Sequence, residues 1–595
     1  MNILYIITIL AIYILFIIMQ RSEKKQNLIA WLTISAILII CYNILICLIY
    51  TFIGILCTLA NLSVCNAITA VFFSIIIFND KKIQKYYVKI PDVVFSVLLL
   101  IIVIVVAYKQ YENPFNIKYK TTDGSSHYFL AEQFYEKTTL LYKDEIADFM
   151  DISNLGFKLP GAYVNEGILF KIFDGQVEKI DLFIIFDLAV LYMSGILVYH
   201  LLILHAKEKK MLKILAMIFS IMYMLGYQLN SMLYGYVYLS LALNIIVTLL
   251  LVMKNSKTEQ INNTITTTIL AILSFGIFFS YAYFIPIIYI AIFINIIIES
   301  KIKKEKILSE DNLMRLIPVM IVPLILGATY FIILPLVKGA KTEVSSITVD
   351  GAIYKNYITN LLVYIPIFIV EIILFIKSKK KQPDFSSILF ILSIIFVLIL
   401  FIGNKLGNVS EYYYFKSYYI VWPLSIINVY RAICNIVKNE QKTLKIATYM
   451  YSMSYIIIIL IATILMKNIG INNIFYTNAD IVVNSEEILN NGELKILEKV
   501  KKQIEDNQIY ILNSKNIARK KWVTALHQNE QIYLQQLFDR DITIEEWIEE
   551  KEKTYYLAYY EEYKEIVAKD NYLTKNNDKY EIMYKDKYGF ILKRK

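Results

Sequence analysis

The sequence predicts an all-α polytopic membrane bundle of about fourteen transmembrane helices, followed by a small C-terminal extracytoplasmic α/β domain. Three observations predict it. Apolar runs of about 20 residues recur between Asn2 and Met466, each long enough to cross a hydrocarbon core about 30 Å thick. Lysine and arginine gather in alternate loops between those runs. After Met466 the composition turns abruptly charged and mixed.

Composition supports the class. Of 595 residues, 57% are hydrophobic and only 18% charged, with a mean hydropathy of +0.54; a soluble domain carries about 25% charge. The net charge of +10 does not point to nucleic acid, because the surplus sits in short loops while the stretch from Lys467 onward is nearly balanced. That is how membrane orientation is encoded. The abundance of Ile, Lys, Asn and 48 Tyr reads as AT-rich coding bias, so tyrosine numbers alone carry little functional weight. Cys41, Cys47, Cys57, Cys65 and Cys434 all lie in or beside apolar runs, which predicts neither a disulfide framework nor a cysteine metal site.

The predicted spans run in order. Asn2–Met19 has almost no charged leader and no small-residue cleavage site, so it is expected as a retained helix. Then come Leu28–Tyr50, Thr51–Phe78, Asp92–Tyr108, Asp181–Leu204, Ile214–Leu229 and Gly235–Met253. Thr266–Tyr283, Ile285–Ile298, Leu316–Leu336, Tyr357–Ile376, Ser386–Gly403, Ser417–Val437 and Ile446–Met466 complete the set. The least certain reversals are near Tyr50 and Tyr283–Pro286, where one long tilted helix could replace a pair.

Basic clusters occur at Arg21/Lys24/Lys25, Lys81–Lys89, Lys207–Lys213, Lys254/Lys257, Lys301–Lys306, Lys377–Lys381 and Lys438–Lys445. Short basic loops stay cytoplasmic, and all of these share one side if fourteen spans are real. The chain then divides into residues 1–108 (spans one to four), 109–180 (an extracytoplasmic loop with interfacial helices), 181–466 (the remaining spans) and 467–595 (the outer domain). Every sizeable polar segment faces outward, where nucleotide-sugars and ATP are not available. A multi-pass plasma-membrane protein of a bacterial cell envelope is the expected setting.

In the outer domain Gln508–Leu512 reads as a buried strand, Thr543–Glu546 as a capping box opening a helix with Trp547, and Tyr580–Leu592 as a hairpin turning at Lys585–Lys587. No glycine-rich phosphate loop and no paired Cys/His set occurs there. A packing or partner-binding role outweighs glycan binding through its aromatics.

The first large loop carries the main chemical signal, Asp123-Gly-Ser-Ser-His127-Tyr128. Asp123 is placed to cap a following helix. From Ser125 onward an uneven apolar stripe suits a helix lying along the membrane interface. Asp123 and His127, four apart, share a face. An Asp before Gly is most often a turn or cap residue. His127, however, is the one histidine in an outer loop before the C-terminal domain, whereas His200 and His205 sit at a cytoplasmic helix end and suit structural or interfacial roles. No role is assigned to His527.

With these residues at the lipid headgroup level, the chain resembles the GT-C superfamily of integral-membrane glycosyltransferases, whose first large outer loop bears a catalytic acid beside interfacial helices. The likeness covers most of the chain in architecture. It departs in having three additional leading spans and no paired Asp-Asp or Asp-x-Asp, which leaves the catalytic assignment open. The resemblance implies a polyprenyl-phosphate-linked sugar donor and a glycan, lipid or protein acceptor, with membrane lipids as partners and inversion at the anomeric carbon. A polyprenyl phosphate leaves as a stabilised anion, so the reaction needs a general base for the acceptor hydroxyl and positive charge for the phosphate. Asp123 is the expected base; His127 orients it, binds phosphate or replaces it.

The segment Asn408–Tyr419 supplies the expected donor-phosphate group, with Lys416, Tyr413 and Glu411 at the entrance of the thirteenth span. Interfacial placement explains its aromatics but not Lys416. Glu166 is a second candidate acid. No metal set is predicted, although a divalent cation beside the phosphate is compatible with the chemistry. Two charges fall inside spans, Asp187 and Glu371, and such residues are functional suspects by default. Two alternatives stand beside the transferase: a transporter or flippase of lipid-linked glycans, which needs polar residues near the midplane, and a non-enzymatic cell-envelope assembly protein.

Overall fold

The structure is a computed structural model that describes residues 2–18, 25–78, 85–112, 115–119, 123–141, 159–206, 209–259, 263–337, 357–377, 384–438, 489–490, 492–496, 509–512, 521–522, 525–526, 555–559 and 580–595. It is a polytopic helical bundle in which, among the described residues, eight helices are long and apolar enough to cross a membrane. The first half comprises α1 (Asn2–Ile18), β1 (Gln26–Asn27), α2 (Leu28–Ile53), α3 (Leu59–Phe78), β2 (Tyr86–Tyr87), α4 (Ile90–Tyr111), α5 (Asp123–Lys137), α6 (Gly161–Ile172) and α7 (Lys179–Ala206). Next are α8 (Lys210–Tyr223) and α9 (Leu229–Leu233), joined by a wide turn, then α10 (Val237–Glu259), α11 (Asn263–Tyr281) and α12 (Ile285–Lys303). The kinked run α13 (Glu310–Leu316), α14 (Val322–Ala328) and α15 (Leu334–Val337) precedes α16 (Tyr357–Lys377), α17 (Phe385–Lys405), α18 (Glu411–Lys416) and α19 (Tyr418–Lys438). The predicted span Ile446–Met466 and the capping box at Thr543 lie outside the described residues.

Contacts fix which helix ends share a face. Asn2 Nδ2 donates to the carbonyl of Ile172 at 2.8 Å, beside the first large loop, whereas the far end of α1 receives the Tyr86 hydroxyl on Ile17. At that far end β1 pairs in parallel with β2, and Lys254 of α10 meets Asp384, the N-cap of α17, at 2.6 Å. Lys25, Lys89 and, from the first turn of α8, Lys213 converge there too, around one cavity. This is the lysine-rich face; the opposite one is the Asp123 face.

At the first of the two uncertain positions the chain reverses, and at the second the helix is broken. The Tyr42 hydroxyl donates to Thr69 and the Tyr50 hydroxyl to the carbonyl of Asn61, so positions approach each other in opposite order along α2 and α3. That is an antiparallel hairpin. Its turn lies at Gly54 (φ +75°) and not at Tyr50, because α2 continues to Ile53. The second break is the short turn Ala282–Phe284, entered by Tyr281 at φ −157° and followed by Pro286 in the first turn of α12, where its missing N–H is harmless.

Both intramembrane acids are buried and each has a hydrogen-bond or ion-pair partner. Glu371 is 1% exposed and paired with Arg431 at 2.5 Å. Asp187 accepts from the Tyr119 hydroxyl at 3.0 Å, tying the loop before α5 to α7.

Beyond the bundle, four strands form a sheet: β3 (Ile509–Leu512), β4 (Tyr555–Tyr559), β5 (Tyr580–Lys585) and β6 (Gly589–Arg594), in the order β3-β4-β6-β5. β3 and β4 are parallel; β6 is antiparallel to β4 and β5. The β5–β6 hairpin turns where Asp586 Oδ1 accepts the N–H groups of Tyr588 and Gly589, at 2.7 and 3.1 Å.

Candidate active site on the Asp123 face

Asp123 opens α5, and the next residues pack unusually close to the start of α10. Gly235, at φ +77°, would with a Cβ place that atom 2.4 Å from the Gly124 nitrogen and 3.3 Å from the Asp123 carbonyl carbon. Only glycine meets both demands, the left-handed backbone and the close approach. The run Tyr234-Gly-Tyr236-Val-Tyr238 is thereby pressed against the loop that carries the acid.

α18 arrives from the far end of the sequence. Its Tyr412 hydroxyl donates to Asp123 Oδ2 at 3.3 Å. Burial, reinforced by neighbouring phenols and the Asp123 carboxylate, pushes this hydroxyl well above its usual range, so it donates as a neutral phenol. Four residues on, one helical turn away on the same face, Lys416 is 3% exposed. Its Nζ donates to the Tyr238 hydroxyl at 2.6 Å and lies 4.0 Å from the ring centre of Tyr412 and 4.1 Å from that of Tyr236. Three phenol faces around one ammonium offset part of its desolvation. His127 packs on the same Tyr238, with ring centres 4.5 Å apart.

The structure therefore brings together Asp123, His127 and Lys416, as their placement in the sequence suggested. Tyr412 lies between the Asp123 carboxylate and the Lys416 ammonium, while the neighbouring Tyr413 packs on Tyr283 with ring centres 5.6 Å apart and its carbonyl accepts from the Tyr283 hydroxyl at 3.0 Å. Glu411 is the first residue of α18. Glu166 lies elsewhere. Its neighbour Gly167 abuts Ala131 and Phe134, two turns or about 12 Å along α5 from Asp123. Glu166 is fully buried and neither carboxylate oxygen has a hydrogen-bond partner. Burial, with the nearby Asp187 carboxyl adding to it, pushes its pKa well above the usual carboxylate range.

α5 also departs from the interfacial stripe. Tyr128 through Phe134 are all buried, which requires protein on several sides. The C-terminal segment provides part of it. Ile117 and Leu489 form an antiparallel backbone bridge, and Trp522 stacks on Tyr119 with ring centres 5.3 Å apart. Trp522 also comes within 3.2 Å of where a Gly124 Cβ would stand. These residues of the C-terminal segment thus share the face of Asp123.

Tyr236, Tyr238, Tyr412 and Trp522 escaped the sequence reading, since tyrosine is common everywhere in this chain. The glycine inside Tyr234–Tyr238 was the available signal. Among the described residues no group of three or more His, Cys, Asp or Glu side chains is placed to hold a metal ion.

No family model and no curated protein sequence matches the chain. Among solved structures it is similar to the crystal structure of ArnT from Cupriavidus metallidurans bound to undecaprenyl phosphate, at 9% identity and a TM-score of 0.45, over 84% of this chain and 97% of that one. At that level the likeness assigns no residue a role.

Proposed function

We propose that the protein is an inverting membrane glycosyltransferase of the GT-C type, moving a sugar from a polyprenyl-phosphate-linked donor to an extracytoplasmic acceptor. The observation that carries the reading is the joining of one carboxylate and one enclosed ammonium through Tyr412 on a single face of the bundle.

The acceptor hydroxyl attacks the anomeric carbon and gives its proton to Asp123. The bond from that carbon to the phosphate oxygen breaks, and its electron pair leaves with the polyprenyl phosphate. Tyr412 holds the carboxylate in place before the acceptor arrives. The Tyr238 oxygen accepts from Lys416, which leaves the Tyr238 proton free to be donated to a phosphate oxygen and carries the ammonium's charge toward it. His127 fixes the Tyr238 ring. Glu371 is neutralised by Arg431, which removes it as the midplane group that a transporter would use.

The test uses purified protein in nanodiscs with radiolabelled polyprenyl-phosphate sugars and host envelope acceptors. Asp123→Asn and Lys416→Gln, each melting like the parent, are expected to lose transfer. Full transfer by both variants would overturn the proposal.

A further inference from the structure

A polar cavity lies at the end of the bundle opposite the Asp123 face. α7 connects the two ends. Its first residue, Lys179, pairs with Glu132 of α5 at 3.0 Å on the Asp123 face, and His200 follows twenty-one residues later, 200 less 179. At 1.5 Å per residue that is about 32 Å, the thickness of a hydrocarbon core. The cavity is about 80 Å³ and is lined by Lys25, Gln26, Lys89, Asp92, His200 and Lys213, among others. Space of this size exceeds what one water needs.

Its polar chemistry is directional. Trp31 Nε1 donates to Gln26 Oε1 at 3.1 Å, which fixes the amide and leaves Nε2 as its unused donor. Gln26 Nε2 and His200 Nε2 are both buried without a hydrogen-bond partner, on residues each 4% exposed. Asp92, the one acid among the described lining residues, is engaged on both oxygens, by Asn27 Nδ2 at 2.6 Å and the Tyr199 hydroxyl at 2.9 Å. Among the described residues the lining holds three lysines and one aspartate. The site is also built by tertiary structure: pairing of β1 with β2 joins the N-terminal ends of α2 and α4, and α7 and α8 supply His200 and Lys213. Helix N-termini favour anions, and lysines at a bilayer boundary extend toward phosphates.

We infer that this cavity binds the phosphate of an anionic group at the lysine-rich membrane face, the headgroup of a membrane phospholipid being the source that its depth favours. The site is remote from Asp123 and independent of the proposed transfer reaction.

The test is native mass spectrometry and melting of the full chain with phosphatidylglycerol, phosphatidylcholine or inorganic phosphate. The parent is expected to retain one phosphatidylglycerol in preference to phosphatidylcholine and to melt higher with it. Combined Lys25→Gln, Lys89→Gln and Lys213→Gln should weaken retention at least tenfold. So should His200→Phe, which keeps every charge and tests the site even where the triple variant does not fold. Lys301→Gln with Lys303→Gln, predicted for the same face, should change nothing. Saturation by inorganic phosphate without lipid retention supports the site and names a soluble phosphate as its source. Undiminished lipid retention by folded His200→Phe and triple variants would overturn the inference, as would equal loss in the Lys301/Lys303 control.

Discussion

The Tyr412 hydroxyl donates to Asp123 Oδ2 at 3.3 Å, joining residues 289 positions apart in sequence. Removing the carboxylate's basicity while keeping its shape isolates its role. Asp123→Asn should lower transfer by about 10²- to 10⁴-fold, the usual range for a general base, with melting unchanged. Radiolabel transfer in nanodiscs measures the first and thermal unfolding the second.

Tyr412 and Tyr413 offer an internal comparison. A hydrogen bond to a charged group is worth about 1.5–3 kcal/mol, so Tyr412→Phe should lower turnover by about tenfold or more. Tyr413→Phe keeps the backbone carbonyl that Tyr283 uses and should remain within about threefold of the parent. Equal losses in the two variants would contradict the assignment of Tyr412.

Gly235 combines φ +77° with van der Waals contact to Gly124. Gly235→Ala should destabilise the fold by about 1–3 kcal/mol and displace Asp123 as well. Melting and transfer should fall together, whereas Gly175→Ala, also at positive φ but with open space around its Cβ, should lower melting alone.

Arg431 is buried against Glu371 at 2.5 Å. Replacing it with Met leaves a buried acid without its partner, which costs about 3–5 kcal/mol. Arg431→Met combined with Glu371→Leu should recover most of that loss. Urea or thermal unfolding of the single and double variants reads the difference.

Glu166 has a folded-state pKa raised by burial. Its contribution to stability is fully present below the unfolded carboxylate pKa of about 4.3 and is lost as pH rises through the raised value. Glu166→Gln should therefore match the parent at low pH and become the more stable of the two as pH increases. Parallel melting curves across pH check the sign; a constant difference would contradict it.

Much of this was legible in the chain. The apolar runs among the described residues became helices because backbone groups in hydrocarbon have no partners but one another, and the lysines at 25, 89, 213 and 254 marked helix ends that meet on one face. Asp123, His127 and Lys416 were legible as polar residues at helix ends on the side away from the lysine clusters. Glu371 was visible as a buried charge, but its partner Arg431 was hidden in a span whose flank looked merely basic.

Sequence by itself determined the class and the residue types at the site, since period, length and charge act locally. Tertiary structure alone decided that Tyr412 lies between the Asp123 carboxylate and the Lys416 ammonium, that Gly235 is pressed against Asp123, and that Glu166 is sealed away. Those outcomes depend on which helix faces meet across hundreds of residues. Packing chooses such contacts by shape and desolvation, and one chain position carries no record of its distant neighbour.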